Sequence, residues 1–325
     1  MKKSNRILEL DVLRGLAVIG VILFHYLTKY NEEYQSTGAR FSFEYGHFGV
    51  ELFFLISGFV IFMTVDKVKN AKGFIWLRFS RLFPVYWSGI ILTTVFVLLF
   101  GLVGREVSWK SILFNFTMLQ ELFNIPHVDG AYWSLLPELM FYFLMAIVLF
   151  FKKKAYINSI SVVWLIAMVI NTLTELPISI VQILNLKYGM LFVAGIQFYL
   201  IKEKELNKKK LSQSIVLIVF SILTYAVVIK DIVSFSIVFS FYILFFLLVY
   251  NYLKFLKIRW LIFIGSISYP LYIVHQNIGY ILMNELNLPF LIEFTLAILL
   301  SIVMAIFIHY GIEKPTLKFL RKIKL

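Results

Sequence analysis

The chain has 325 residues, of which 61% are hydrophobic, 18% aromatic and only 15% charged. A water-soluble domain has no way to hide that much apolar surface, so the composition excludes one and points to a polytopic membrane protein. The net charge of +13 does not signal nucleic acid, because the basic residues are spread over short loops and form no patch. The absence of cysteine excludes a disulfide framework, a cysteine nucleophile and a thiolate metal site.

Apolar runs of roughly 17–25 residues predict ten spans, near 10–28, 48–65, 82–103, 132–151, 157–174, 178–201, 211–229, 233–250, 259–283 and 289–310. The first follows a basic Lys2-Lys3-Arg6 lead, but Asp11 and Arg14 interrupt it and no small-residue cleavage site follows, so it reads as a retained span. The sixth contains Lys187, and its helix is expected to start only at Tyr188. The stretch 109–123 is apolar but short, which suits an interfacial or re-entrant helix. Lys and Arg number 3, 5, 3, 5, 3 and 5 in the N-terminus, loops 66–81, 152–156, 202–210 and 251–259, and the tail 311–325. In the intervening loops they number 2, 2, 1, 1 and 0. That alternation is what the positive-inside rule expects, and it places both termini in the cytoplasm. The expected fold is therefore all-α, about ten transmembrane helices in one membrane domain spanning 1–325.

Span 1 carries Arg14 and His25. Eleven residues make roughly 20° more than three helical turns, so both side chains share one face about 16 Å apart along the axis. Charge at membrane depth is costly and marks a site or a pathway. The topology puts Arg14 near the inner surface and His25 near the outer one. Span 2 runs the other way, so Glu51 lies at the depth of His25. A carboxylate beside an imidazole orients it and raises its basicity, the preparation of a general base; a polar pair that merely ties two helices is the plainer alternative. Gly58, on the face of Glu51, allows a neighbouring helix to approach closely. Arg78 and Arg81 are three apart at the inner mouth of span 3, where guanidinium forks suit phosphate and where positive-inside anchoring is the plainer reading. Arg14 at similar depth makes a third cation, or an i,i+3 partner of Asp11.

Span 4 places Ser134, Glu138 and Tyr142 on one stripe behind Trp133. An intramembrane carboxylate is a site hypothesis by default, whereas Trp133 also suits an interfacial aromatic. In span 9, Pro270 is expected to kink the helix, and His275 lies in its outer half as either a core or a working residue. His309 and Glu313 close span 10 and read as structural. His47, Glu32, Glu33 and Glu44 lie in the first outer loop and His127 and Asp129 in loop 104–131, within reach of a molecule outside, and the sequence gives no stronger reason for any of them.

Together these residues resemble the acyltransferase-3 family of integral membrane acyltransferases, over nearly the whole chain. Arg14 and His25 match its Arg-x10-His element. GVELFFLISGF (49–59) is similar to its G-V-[DE]-L-F-F-x-x-S-G-F element, with Glu51 at the acidic position. RFSR (78–81) resembles its R-x-x-R motif, WSLLPELMFY (133–142) its W-S-L-x-x-E-x-x-F-Y element, and SYPLYIVH (268–275) its S-Y-x-x-Y-x-x-H element. The resemblance implies a multi-pass enzyme of the bacterial cytoplasmic membrane that moves an acyl group, acetyl by expectation, from cytoplasmic acyl-CoA to a hydroxyl of an envelope glycan or lipid-linked saccharide. Lipopolysaccharide O-antigen and capsule are acceptors of that class. It implies no metal and, in this chain, no fused SGNH-type domain. Arg78, Arg81 and Arg14 would hold the CoA phosphates. His25 would act as general base or acyl relay with Glu51 as its orienter. Glu138 would be a further catalytic carboxylate, and Trp133, Ser134, Tyr142 and His275 would line the acceptor side. A proton-coupled transporter or flippase of glycan precursors is the rival of another class, since intramembrane acid and histidine residues serve it too.

Overall fold

A computed structural model describes residues 7–34, 41–203 and 206–320. The basic lead Lys2-Lys3-Arg6, Arg40, Lys204 and the basic end of the tail from Arg321 lie outside the described residues. Those described contain helices and no strand. Among the described residues, eight helical stretches are long and apolar enough to cross a membrane: Leu8–Tyr34, Glu44–Lys67, Ala71–Phe100, Gly130–Phe150, Lys154–Thr174, Lys208–Ile229, Ile232–Val249 and Phe290–Leu320. They coincide with eight of the ten apolar runs. Much of the exposed surface is apolar too, including Leu99, Val163, Leu173, Val216 and Val303, as a lipid-facing surface requires.

The two remaining runs are broken helices, each for a local reason. In 178–201, Ile178–Ile183 ends and Gly189–Glu203 begins around Asn185, whose φ of +49° no continuous helix accommodates. The Asn185 side chain donates to Pro137 O at 3.0 Å, which holds the break in place. The helix thus starts beyond Lys187, one residue after the expected Tyr188. In 259–283 there are three pieces, Arg259–Ser266, Ser268–Val274 and Gln276–Glu285. Pro270 is in the first turn of the middle piece, where its missing N–H and the clash of its ring with the carbonyl four residues back cost nothing. The interruption therefore falls at Ile267, before the proline, and a second follows at His275. The stretch 109–123 forms the short helix Trp109–Asn115 and a 3₁₀ turn Gln120–Phe123.

The described residues cluster into two compact units. One draws on Met1–Leu13, Val50–Trp76 and Pro137–Arg259, the other on Arg14–Gly49, Leu77–Leu136 and Trp260–Leu325. In the first, glycines let two helices touch backbone to backbone. A Cβ on Gly58 would collide with the Phe192 backbone, and one on Gly195 with Leu55 O, at 2.6 Å from Phe59 N and 2.8 Å from Gly58 Cα. Aromatic rings fill the flanks: Phe141 stacks on Phe192 at 4.4 Å and Phe54 meets Phe192 at 5.1 Å. Lys154 Nζ and the Tyr199 hydroxyl converge on the Asp66 carboxylate at 3.2 and 3.0 Å. The helices Lys208–Ile229 and Ile232–Val249 are capped by Asn207 and Asp231, each accepting a backbone N–H.

In the second unit, Gly20 and Gly46 bring Glu44–Phe48 against the first helix, and Gly49 packs on Ala17 O. Gly15 lies against Leu261 O, and Gly279 lies against the ring of Tyr26. Tyr26 is fully buried; its hydroxyl donates to His275 O and is 2.9 Å from Ser301 Oγ.

Helix contact through glycine leaves no room for a branched side chain. Gly195→Val is expected to destabilise the protein by about 1–3 kcal/mol. A fall of several degrees in the thermal unfolding midpoint of the detergent-purified protein would register it, while Val216→Ala on the exposed surface should leave the midpoint in place.

Candidate active site

His25 is the first residue of a π turn, His25–Lys29, that continues the helix Leu8–Phe24. A π turn inserts one residue into the helical ladder and re-aims the side chains beside it. The His25 ring folds back along its own helix, and Nδ1 donates to Val21 O at 2.9 Å. His275 sits at the second break of the broken stretch and is fully buried. Its Nδ1 donates to Tyr272 O at 2.8 Å, and its Nε2 is 3.0 Å from His25 Nδ1. The ring centroids are 4.8 Å apart at 61°.

These partners determine where the protons are. A carbonyl oxygen only accepts, so both Nδ1 atoms carry hydrogen. His275 Nε2 must then be the bare nitrogen that faces His25 Nδ1, because two N–H groups would oppose each other at 3.0 Å, and the single Nδ1 hydrogen of His25 is shared between Val21 O and His275 Nε2. His25 Nε2 is the atom of the pair that this chain of bonds leaves to react. The backbone is tied down as well: the Tyr280 hydroxyl donates to His25 O at 3.1 Å, and the Tyr26 hydroxyl to His275 O.

The loop before Gly130–Phe150 supports His275 from the other side. Asp129 is fully buried; Oδ1 accepts from Ala131 N and Oδ2 from Asn277 N, both at 2.9 Å. One carboxylate thus starts two helical elements, the 3₁₀ turn Gly130–Ser134 and the helix Gln276–Glu285. Burial pushes its carboxyl up to about 6, against the pull of those two N–H groups. Asn277 Nδ2 returns the contact by donating to Val128 O at 3.0 Å. The Tyr132 hydroxyl donates to Ile273 O at 3.2 Å. Ser134 Oγ is 2.7 Å from the Tyr272 hydroxyl, which itself donates to Ala131 O. Ser134 therefore acts on the residue whose carbonyl holds the His275 ring. His127, whose imidazole burial lowers to about 4, takes a hydrogen bond from Gln120 at 2.8 Å and is neutral at pH 7.

The other sequence-derived candidates divide between the units. In the second, Arg78 is buried on Ala71–Phe100, Arg81 follows three residues later, and Arg14 and Trp133 are half-buried. In the first, Glu138 Oε1 accepts from Ser57 Oγ at 2.9 Å and from the Tyr142 hydroxyl at 2.7 Å. Glu51, also there, is buried with Oε2 lacking a hydrogen-bond partner. The partner that His25 Nδ1 has is thus His275, where the sequence suggests Glu51. Asp129, expected from the sequence as an outer-loop contact, is a buried cap instead, and the Asp-Gly dipeptide before an aromatic helix start is the signal that marks it as one. Among the described residues no three His, Asp or Glu side chains are grouped to hold a metal ion.

A half-buried and a fully buried histidine thus meet at the junction of a π turn and a broken helix, in a bundle of apolar helices. A family model described as an acyltransferase domain matches residues 7–310. The chain belongs to the acyltransferase-3 family. The match covers both units and every candidate residue, so this family member is a multi-pass membrane protein of acyltransferase type. Comparison with curated proteins and with solved structures returns no match.

If Asp129 is the bolt between loop and helix, removing its carboxylate strands two buried N–H groups, at about 1–3 kcal/mol each. Asp129→Ala should lower the thermal midpoint clearly more than Asp129→Asn, which keeps one acceptor oxygen. Wild-type midpoints in both variants would show that neither bond matters to stability.

Proposed function

We propose that the protein is an O-acyltransferase that moves an acyl group, acetyl by preference, from cytoplasmic acyl-CoA to a hydroxyl of an envelope glycan or lipid-linked saccharide. Membership of the acyltransferase-3 family supports the reaction class. The observation that carries the mechanism is the His25–His275 pair, with both Nδ1 protons held by backbone carbonyls and His25 Nε2 left bare.

In this reading His25 Nε2 takes the proton of the acceptor hydroxyl as its oxygen attacks the thioester carbonyl. The carbon–sulfur bond breaks, and the departing sulfur of CoA receives the proton back from His25. The positive charge on His25 during the step is shared through Nδ1–H with His275 Nε2, a neutral acceptor already in place. A carboxylate is thus not required to orient His25. The unpartnered, buried oxygen of Glu51 and the Ser57–Glu138–Tyr142 chain support a separate role for those carboxylates on the acceptor or the thioester arm. Arg78 and Arg81, adjacent on one helix face, with Arg14, are the cations proposed for the CoA phosphates.

The topology that goes with this reading has ten crossings and both termini in the cytoplasm of a bacterial cell, with the acceptor outside. Two of those crossings would be the broken stretches 178–201 and 259–283. Interrupted helices are tolerated at membrane depth only inside protein. Gly189 to Tyr199 and Pro270 to Ile281 are buried throughout, which supports their crossing in the interior.

Loss of a general base costs typically about 10²–10⁴ in rate. His25→Ala, assayed for acetyl transfer to envelope glycan at equal membrane abundance, should fall by that factor; undiminished transfer would remove His25 from the mechanism. Arg78→Ala and Arg81→Ala should raise the apparent KM for acetyl-CoA with a smaller change in kcat. An unchanged KM would reduce both arginines to topology anchors.

A further inference from the structure

The helix break that positions His275 also leaves a polar cluster beside it that the proton relay does not use. Gln276 follows His275 directly and is 3% exposed, yet its Oε1 accepts no hydrogen bond. A buried carboxamide oxygen without a donor is uncommon and asks for one. Facing Gln276 is Gly130: a methyl built there would meet Gln276 Nε2 and Oε1 at 3.0 Å and Arg105 Nη1 at 2.6 Å. The absent side chain therefore leaves the carboxamide and the guanidinium bordering one small space above the Gly130 backbone.

Charges of both signs border that space. Arg105 Nη2 is 2.7 and 2.6 Å from the two oxygens of Glu33. The pair is about one-fifth exposed, at 22% and 23%, so the cluster has an open edge. An arginine whose charge is already met by a carboxylate is a poor anchor for a phosphate, which argues against the donor nucleotide here. Tyr34 also hydrogen-bonds Arg105, and Lys29 Nζ lies 3.8 Å from Glu33 Oε1, so hydroxyl, ammonium, guanidinium and carboxylate groups meet at this edge. A wall that sets an orphan acceptor, a guanidinium donor and a carboxylate side by side matches groups that give and take hydrogen bonds together, namely the hydroxyls of a sugar.

We propose that Gly130, Gln276, Arg105 and Glu33 form the subsite that receives the saccharide acceptor next to the His25–His275 pair. The inference rests on the acyltransfer reading above for what happens to the sugar afterwards, but not for its binding. Asp129 and Asn277 clamp the two backbones that carry the subsite, and so act as positioning residues.

The test uses the full chain and, as probe, unacylated envelope glycan extracted from a strain that lacks the protein. Wild type, Gly130→Ala, Gln276→Leu and Arg105→Lys are compared in two assays. One is tryptophan-fluorescence titration of the purified protein with glycan and no acetyl-CoA; the other is acetyl transfer in membranes. The expected result is a rise of about tenfold or more in the glycan dissociation constant and in the glycan KM, one lost polar contact or a filled space being enough for that. The KM for acetyl-CoA should stay within about twofold. Arg105→Lys, at the open edge, guards against misfolding of the buried variants, since it keeps the charge and loses the fork. Glycan binding equal to wild type in all three variants overturns the subsite, as does a fall in kcat alone. Weakened binding in the variants with no transfer by wild type would leave the subsite standing and overturn the acyltransfer reading. Transfer by wild type with unaltered binding in the variants would do the reverse.

Discussion

An imidazole packed among apolar helices takes its protonation pattern from whatever the protein places beside it. For His25 and His275 those neighbours are two backbone carbonyls, Val21 O and Tyr272 O, and each other. The rest of the second unit serves that geometry. A π turn aims His25, a helix break releases His275 from the regular ladder, and tyrosine hydroxyls tie the carbonyl of each histidine to another element. Asp129 and Asn277 then lock the break to the loop that precedes it.

The break has a cost, and its location shows how the cost is met. Interrupting a helix frees backbone groups that lipid cannot satisfy. Here the Asn277 N–H goes to a buried carboxylate and the Ile273 carbonyl to the Tyr132 hydroxyl. The interruption therefore belongs in the protein interior, where side chains can answer for lost ladder bonds. The same holds at Asn185 in the first unit, whose side chain bonds Pro137 O while its backbone turns left-handed. At both interruptions a side chain bonds the backbone of another segment.

Much of this was legible from residues alone. Apolar run lengths located every membrane-length helix, since hydrophobic length follows directly from bilayer thickness. The motif around Arg14 and His25, the acidic position Glu51, the arginine pair and the Trp133-to-Tyr142 element pointed to the family that the model match shows. The helix breaks were only half legible. Pro270 announced one but not its position at Ile267, because the break falls where the ring would clash rather than at the ring itself. Nothing in the local pattern at His275 announced the second. The partner of His25 was not legible either: depth matching ranks residues along the membrane normal but carries no information on azimuth, so Glu51 and His275 were equally eligible. Asp129 reads from the sequence as an outer-loop contact rather than a brace for a related reason, since it joins two segments about 150 positions apart, a relation that no local window contains.

The account depends on which nitrogen of His25 is free. Nitrogen-15 solid-state NMR of histidine-labelled protein in lipid reads this directly, with His25→Gln and His275→Gln spectra assigning the signals. The account predicts that in the resting enzyme both histidines carry hydrogen on Nδ1 and that Nε2 is bare in both, with through-hydrogen-bond coupling between His25 Nδ1 and His275 Nε2. A His25 signal protonated on Nε2 and bare on Nδ1 would contradict it, because the nitrogen assigned to take the acceptor's proton would then already hold one.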